Sequence, residues 1–114
     1  MKVGRTYTFS AAHRLPLLPP EHKCHHLHGH NYRVEVVLSG KVDHRGFVLD
    51  FAELDGVVGP LLAEVEHKTL NDISGLENPT AEVVAQWFRR RIATYLGVDT
   101  TVRVWENDRS WAET

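Results

Sequence analysis

Five of the eight histidines in this 114-residue chain fall between His22 and His30, in the stretch "HKCHHLHGH", which also holds the only cysteine, Cys24. Imidazole and thiolate bind transition metals, and both can move protons near neutral pH. Metal binding and acid–base chemistry are therefore the two activities to separate. His28 and His30 are two residues apart, a spacing that on a helix would send them to nearly opposite sides. On a strand they share a face, with Cα atoms roughly 6.5–7 Å apart, and two imidazoles can close around one ion across that span. Gly29 between them leaves the other face bare for a neighbouring backbone or a ligand. A third imidazole follows if residues 2–13 and 28–39 pair as antiparallel strands, because His13 then ends the first strand where His28 and His30 begin the second. Three neutral imidazoles at one end of a half-buried sheet predict an open tetrahedral site, the pattern of catalytic rather than structural zinc. Iron, copper and nickel also accept imidazole, so the donor set alone prefers zinc without deducing it.

The other histidines lie in loop patterns. His22, His25, His26 and His44 are expected at the solvent-exposed surface, at most beside the metal ligands. Cys24 has three candidate roles: a fourth ligand that would close the site, an inert small residue, or an acid–base group kept off the metal. A thiol near a cation has a lowered pKa, which favours reactivity over inertness. Between ligand and catalyst the residues themselves do not choose.

These side chains need a scaffold. Val3, Tyr7, Phe9, Ala11 and His13 share one parity against Thr6, Thr8 and Ser10, which predicts a strand, with Arg5 breaking the apolar row near a sheet edge. Pro16, Pro19 and Pro20 bar regular structure from 14 to 27. Alternation resumes through His28, His30, Tyr32, Val34, Val36 and Leu38. The turn "DHRG" at 43–46 predicts a short strand Phe47 to Leu49 after it. Asp50 followed by Glu53 resembles a capping arrangement for a helix buried through Leu54, Val57, Val58, Leu61, Leu62 and Val65, with Gly59-Pro60 expected to kink or restart it. A second helix is predicted from a cap at Asn78 and Pro79 in the first turn to a stop at Gly97, burying Val83, Val84, Trp87, Phe88, Ile92 and Tyr95. Val102, Val104 and Glu106 share a face of the next strand, and Asn107-Asp108 turns into a last strand, Ser110 to Glu113. The order predicts one α+β domain over residues 1–114, an antiparallel sheet with two helices on one side.

Composition narrows the partners. Net charge of −2 and a pI near 6.4 provide no electrostatic footprint for a nucleic-acid backbone. The run Arg89-Arg90-Arg91 falls in a helical pattern and reads as a solvated face. No apolar run approaches membrane-spanning length, "MKVGRTYTFS" lacks the apolar core of a signal peptide, and one cysteine makes no internal disulfide. The expected location is the cytoplasm.

Six stretches, "FSAAHRLP" at 9–16, "KCHHLHGH" at 23–30, "VLDFAEL" at 48–54, "HKTLND" at 67–72, "GLENPTAE" at 75–82 and "VWEN" at 104–107, resemble the pterin synthases that include 6-pyruvoyl- and 6-carboxy-tetrahydropterin synthase. They run in the family's order over nearly the whole chain. "LHGH" with "LND…GLENPT" resembles most the carboxy-tetrahydropterin branch of the queuosine (7-deazapurine) pathway. The resemblance implies a tunnelling fold, in which the sheets of three subunits close a β-barrel and two trimers stack as a homohexamer. It implies zinc on His13, His28 and His30, Cys24 as proton acceptor, His67 as its relay partner, and Glu106 as the carboxylate that anchors the pterin and shares in the relay. Where the family usually has Asp-His, this chain has Glu66-His67, so Glu66 is expected to orient His67 with a longer arm, or the relay to lean on Glu106. Thr80 resembles a pterin-contacting position, and Arg14 and Lys23 flank the ligands where a triphosphate could lie. The implied reaction converts 7,8-dihydroneopterin triphosphate to 6-carboxy-5,6,7,8-tetrahydropterin, acetaldehyde and triphosphate.

Three alternatives compete. A 6-pyruvoyl product would retain the substrate's side chain. A cupin-type metalloenzyme would use "HGHNYRVE" with Glu35 as ligand, which strand parity opposes. A histidine-rich metal-binding protein would need neither Cys24, His67 nor Glu106.

Overall fold

The computed structural model describes residues 1–114. β1 (Lys2–His13) and β2 (His28–Ser39) pair antiparallel in a register that sets His13 directly opposite His28 and Ala11 opposite His30. β3 (Asp99–Asn107) continues the sheet beside β2, and β4 (Ser110–Glu113) closes the order β1-β2-β3-β4. α1 (Phe51–Val65) and α2 (Ala81–Leu96) complete the α+β architecture.

Parity predicts the buried face. Phe9, Ala11, Tyr32, Val34, Val36, Leu38, Val102 and Val104 are buried against Leu54, Val58, Leu61 and Val65 of α1 and Val84, Trp87, Phe88 and Ile92 of α2. Phe9 stacks on Tyr32 at 4.6 Å, so the aromatic core leads directly to the histidine end of the sheet. The opposite face is polar and cationic-aromatic, with Arg33 4.3 Å over the Trp105 ring and Arg103 4.1 Å over Trp111.

Local chemistry departs from the sequence expectation at four points. The predicted strand Phe47 to Leu49 does not form: Asp43 accepts through its carboxylate from the backbone N–H groups of Arg45 and Phe47, which folds that segment as a side-chain-capped turn. Gly59-Pro60 does not interrupt α1, which runs unbroken to Val65 with Pro60 inside it. The bond that Pro60 forfeits lies on the exposed side, while the buried stripe of Leu54, Val58, Leu61 and Val65 holds both halves on the sheet. α2 is capped by Thr80, whose Oγ1 accepts from Val83 N–H at 3.2 Å, so Asn78 and Pro79 precede the helix. Tyr95, expected in the buried stripe, is 80% exposed: Leu96 is the residue of the last turn that packs on the core, and Tyr95 borders a surface depression beside Val57 and Pro60 of α1. Asp50 caps α1 through Ala52 N–H at 2.9 Å, and Gly97 ends α2 at φ 61°, a left-handed position suited to glycine.

After α1 the chain turns back along β1. His67 N–H donates to the Ser10 carbonyl at 2.7 Å, Ala12 N–H donates to the Lys68 carbonyl at 2.9 Å, and Thr69 forms a parallel bridge with Ala12. This places Glu66 and His67 at the edge of β1. No helix is long and apolar enough to cross a membrane.

Candidate active site

The antiparallel register brings His13, His28 and His30 together, and one ring nitrogen from each lies within 4.8 Å of the others. His13 is buried, at 1% exposure, whereas His28 and His30 are half-buried, so the cluster is fixed on its core side and open on the other. Its ring orientations are set from behind. His13 Nδ1 lies 2.8 Å from the Pro79 carbonyl and His28 Nδ1 lies 2.7 Å from the His26 carbonyl. A carbonyl only accepts, so each Nδ1 carries the proton and each Nε2 is left as a lone pair. The two Nε2 atoms face one another at 3.0 Å. Two lone pairs at that distance repel, and a cation between them turns the repulsion into ligation. Backbone carbonyls on the far ring nitrogens are also the usual outer partners of metal-bound histidine.

Burial favours the neutral, ligating form. The pKa of His13 is lowered to about 4, first by burial and further by the neighbouring His28 and His30, outweighing the bond to Pro79. His30 is lowered as well, by burial and by His28. Tyr32, whose hydroxyl lies 3.2 Å from His13 Nδ1, is held as a phenol by burial and by the charge of Glu106.

A cavity of about 430 Å³ opens over the three imidazoles, and Leu15, Lys23, Cys24, Glu106 and Asn107 complete its lining. Cys24 is half-buried in a short 3-10 turn, Lys23–His25, and it stands outside the group of mutually close donor atoms. Glu106 comes from the end of β3, where the register with β4 shifts between Trp105 and Asn107; such an irregularity re-aims side chains at a strand end. Its carboxyl pKa is raised, first by burial and then by Glu82 in the first turn of α2, against an opposing effect of His28. A donor cluster for a cation, a thiol and a carboxyl of raised pKa therefore share one cavity. That set can hold a polar ligand, polarise a hydroxyl and move a proton.

A family model described as 6-pyruvoyl tetrahydropterin synthase matches residues 2–114. The chain belongs to the 6-pyruvoyl tetrahydropterin synthase family. It is 40% identical over 114 residues to a putative 6-carboxy-5,6,7,8-tetrahydropterin synthase of Archaeoglobus fulgidus, covering 99% of this chain and 94% of that one. It is 35% identical to a dihydroneopterin monophosphate aldolase of Pyrococcus furiosus, covering 93% and 90%. The structure of Caenorhabditis elegans 6-pyruvoyl tetrahydropterin synthase superposes with a TM-score of 0.90 at 28% identity, over 100% of this chain and 94% of the other.

Against that tetrahydropterin synthase background, the remaining candidates divide. Lys23 lines the cavity, but Arg14 does not, and its backbone is tied to Asn71 through the Arg14 N–H and carbonyl at 2.9 and 2.8 Å. Thr80 accepts the capping bond of α2 through Oγ1 and does not line the cavity. His67 does not line the cavity that holds Cys24; it lines a neighbouring depression with Ser10, Ala11, Ala12, Gly29, His30 and Asn31. Its side chain is 80% exposed, its φ is 56°, and its Nε2 is 3.0 Å from Glu66 Oε1. A non-glycine residue in the left-handed region costs on the order of 1–3 kcal/mol, so the surrounding hydrogen bonds hold it there. Glu35, the ligand a cupin-type site would need, faces away from the histidines and lies 3.8 Å from Arg103. Sequence reasoning missed the site roles of Pro79 and Asn107, and it placed His26 at most beside the ligands without its bond to His28; Pro79 and His26 act through backbone carbonyls, which carry no signal in residue type.

Proposed function

We propose that this protein is a zinc-dependent lyase of the cytoplasm that converts 7,8-dihydroneopterin triphosphate and water to 6-carboxy-5,6,7,8-tetrahydropterin, acetaldehyde and triphosphate, as a step of queuosine (7-deazapurine) synthesis. The observation that carries it is the meeting of three ligand-ready imidazoles, Cys24 and Glu106 around a single cavity. When bound by His13, His28 and His30, zinc supplies Lewis-acid polarisation of the substrate's side-chain hydroxyls. Cys24 takes a proton from the side chain, and Glu106, of raised pKa, anchors the pterin by accepting from its ring nitrogens or shares in the proton relay. Lys23 at the rim offers a cation to the triphosphate. The homohexamer, two stacked trimers whose sheets close a barrel, gives the exposed His67 a place in the relay. In its own chain His67 does not line the cavity of Cys24, and we assign the proton transfer to a pair from two copies.

The Glu66 oxygen beside His67 Nε2 orients that ring from the position where the family usually carries Asp. Loss of an outer carboxylate that fixes an imidazole costs about 10–100-fold where the imidazole binds a metal, and the same order is taken for the relay imidazole. Glu66→Gln is accordingly expected to lower turnover by about that factor, with Glu66→Asp near wild type. Wild-type turnover by Glu66→Gln would make Glu66 a solvated helix-end carboxylate.

A second reading, aldol cleavage of a dihydroneopterin phosphate, is favoured by the likeness to the Pyrococcus furiosus aldolase. The 6-pyruvoyl product is favoured by the Caenorhabditis elegans structure. Incubating the zinc-loaded protein with 7,8-dihydroneopterin triphosphate, and separately with the monophosphate, decides among them by mass spectrometry. The 6-carboxy product from the triphosphate supports the proposal. A 6-pyruvoyl product, or cleavage of the monophosphate alone, replaces it.

A further inference from the structure

Cys24 sits in a segment that cannot hold itself by a regular ladder. Pro16, Pro19 and Pro20 remove three backbone donors between His13 and His28, so side chains have to supply bonds that strands or helices would otherwise provide. Both backbone groups of Cys24 are nevertheless fixed. Its carbonyl accepts from Leu15 N–H at 2.8 Å, two residues beyond the ligand His13. Its N–H donates to His22 Nδ1 at 3.0 Å, with His22 as the cap of the 3-10 turn.

The two histidines flanking Cys24 use the same ring atom in opposite senses. His22 Nδ1 accepts the Cys24 amide hydrogen, so this nitrogen carries no proton in the contact. His25 Nδ1 faces the Leu18 carbonyl at 2.9 Å and so carries a proton. One ring clamps the amide of Cys24, while the other ties the far side of the turn to the proline segment. Neither belongs to the group of mutually close metal donors.

We infer that His22 is a positioning residue for Cys24: its Nδ1 lone pair holds the cysteine amide and so sets where the thiol stands over the imidazole cluster. This rests on the catalytic role proposed above for Cys24. The test compares His22→Ala, which deletes the acceptor, with His22→Asn, whose Oδ1 can accept from the amide two residues on in an Asx-type turn. Caps of this kind are worth about 1 kcal/mol, a factor of about five. His22→Ala is expected to lower kcat about fivefold, with KM and zinc content unchanged, and to raise the hydrogen-exchange rate of the Cys24 amide by a similar factor. His22→Asn is expected to restore both. Wild-type exchange at Cys24 in His22→Ala overturns the inference, as does equal loss of turnover in the two variants, or lost protection with unchanged kcat. The exchange measurement needs no turnover, so failure of the clamp is seen there, whereas failure of the role given to Cys24 is seen in Cys24→Ala.

Discussion

Cys24→Ala is expected to keep its metal and lose about 10²–10⁴-fold in turnover, the usual contribution of a positioned acid–base group. Metal ligation and proton transfer give opposite outcomes for this one substitution. His13, His28 and His30 form the mutually close donor group without the cysteine, so removing the thiol leaves the donor set intact. Cys24 also lines the cavity only as a half-buried loop residue, so an alanine there leaves the sheet and its core untouched. Zinc content by atomic absorption and pterin binding should match wild type while single-turnover chemistry collapses. A variant that loses zinc together with activity would make Cys24 a ligand; one that keeps both would make it a bystander, and the proposed mechanism would fail.

Replacing His28 or His30 by Ala should strip the metal while leaving a folded protein. Removing an outer partner of a metal-bound histidine costs about 10–100-fold in affinity, and removing one of only three ligands costs more than that. Both residues are half-buried, so alanine removes little core packing. His13 differs: it is buried and bonded to Pro79 and close to Tyr32, so His13→Ala should lower thermal stability as well as metal affinity. Circular dichroism beside metal analysis separates the two effects. Stoichiometric zinc retained by both His28→Ala and His30→Ala would locate the metal elsewhere.

Much of the site is readable before folding because strand parity is a local rule. The two-residue spacing of His28 and His30 and the alternation ending at His13 are enough to put all three imidazoles on the buried face, and the antiparallel register bears this out. The place of Glu106 at the end of the Val102–Val104 face is legible in the same way, but its role comes only from the family resemblance. The misses share a cause of another kind. Phe47 to Leu49 has strand composition, but the Asp43 carboxylate takes the N–H groups a ladder would need. Gly59-Pro60 has the composition of a break, but packing of α1 on the sheet outweighs it.

The sequence by itself determined the α+β class, the parity of β1, β2 and β3 and the grouping of the three imidazoles, because each depends on spacing along one chain. Only the tertiary structure decided which nitrogen of His13 and of His28 is free, since Pro79 and His26 act through carbonyls brought there by folding. It alone decided that Cys24 shares the histidines' cavity while Glu66 and His67 lie at the edge of β1, outside that cavity. Those placements arise from contacts between segments far apart in the chain, and residue order carries no direct record of them.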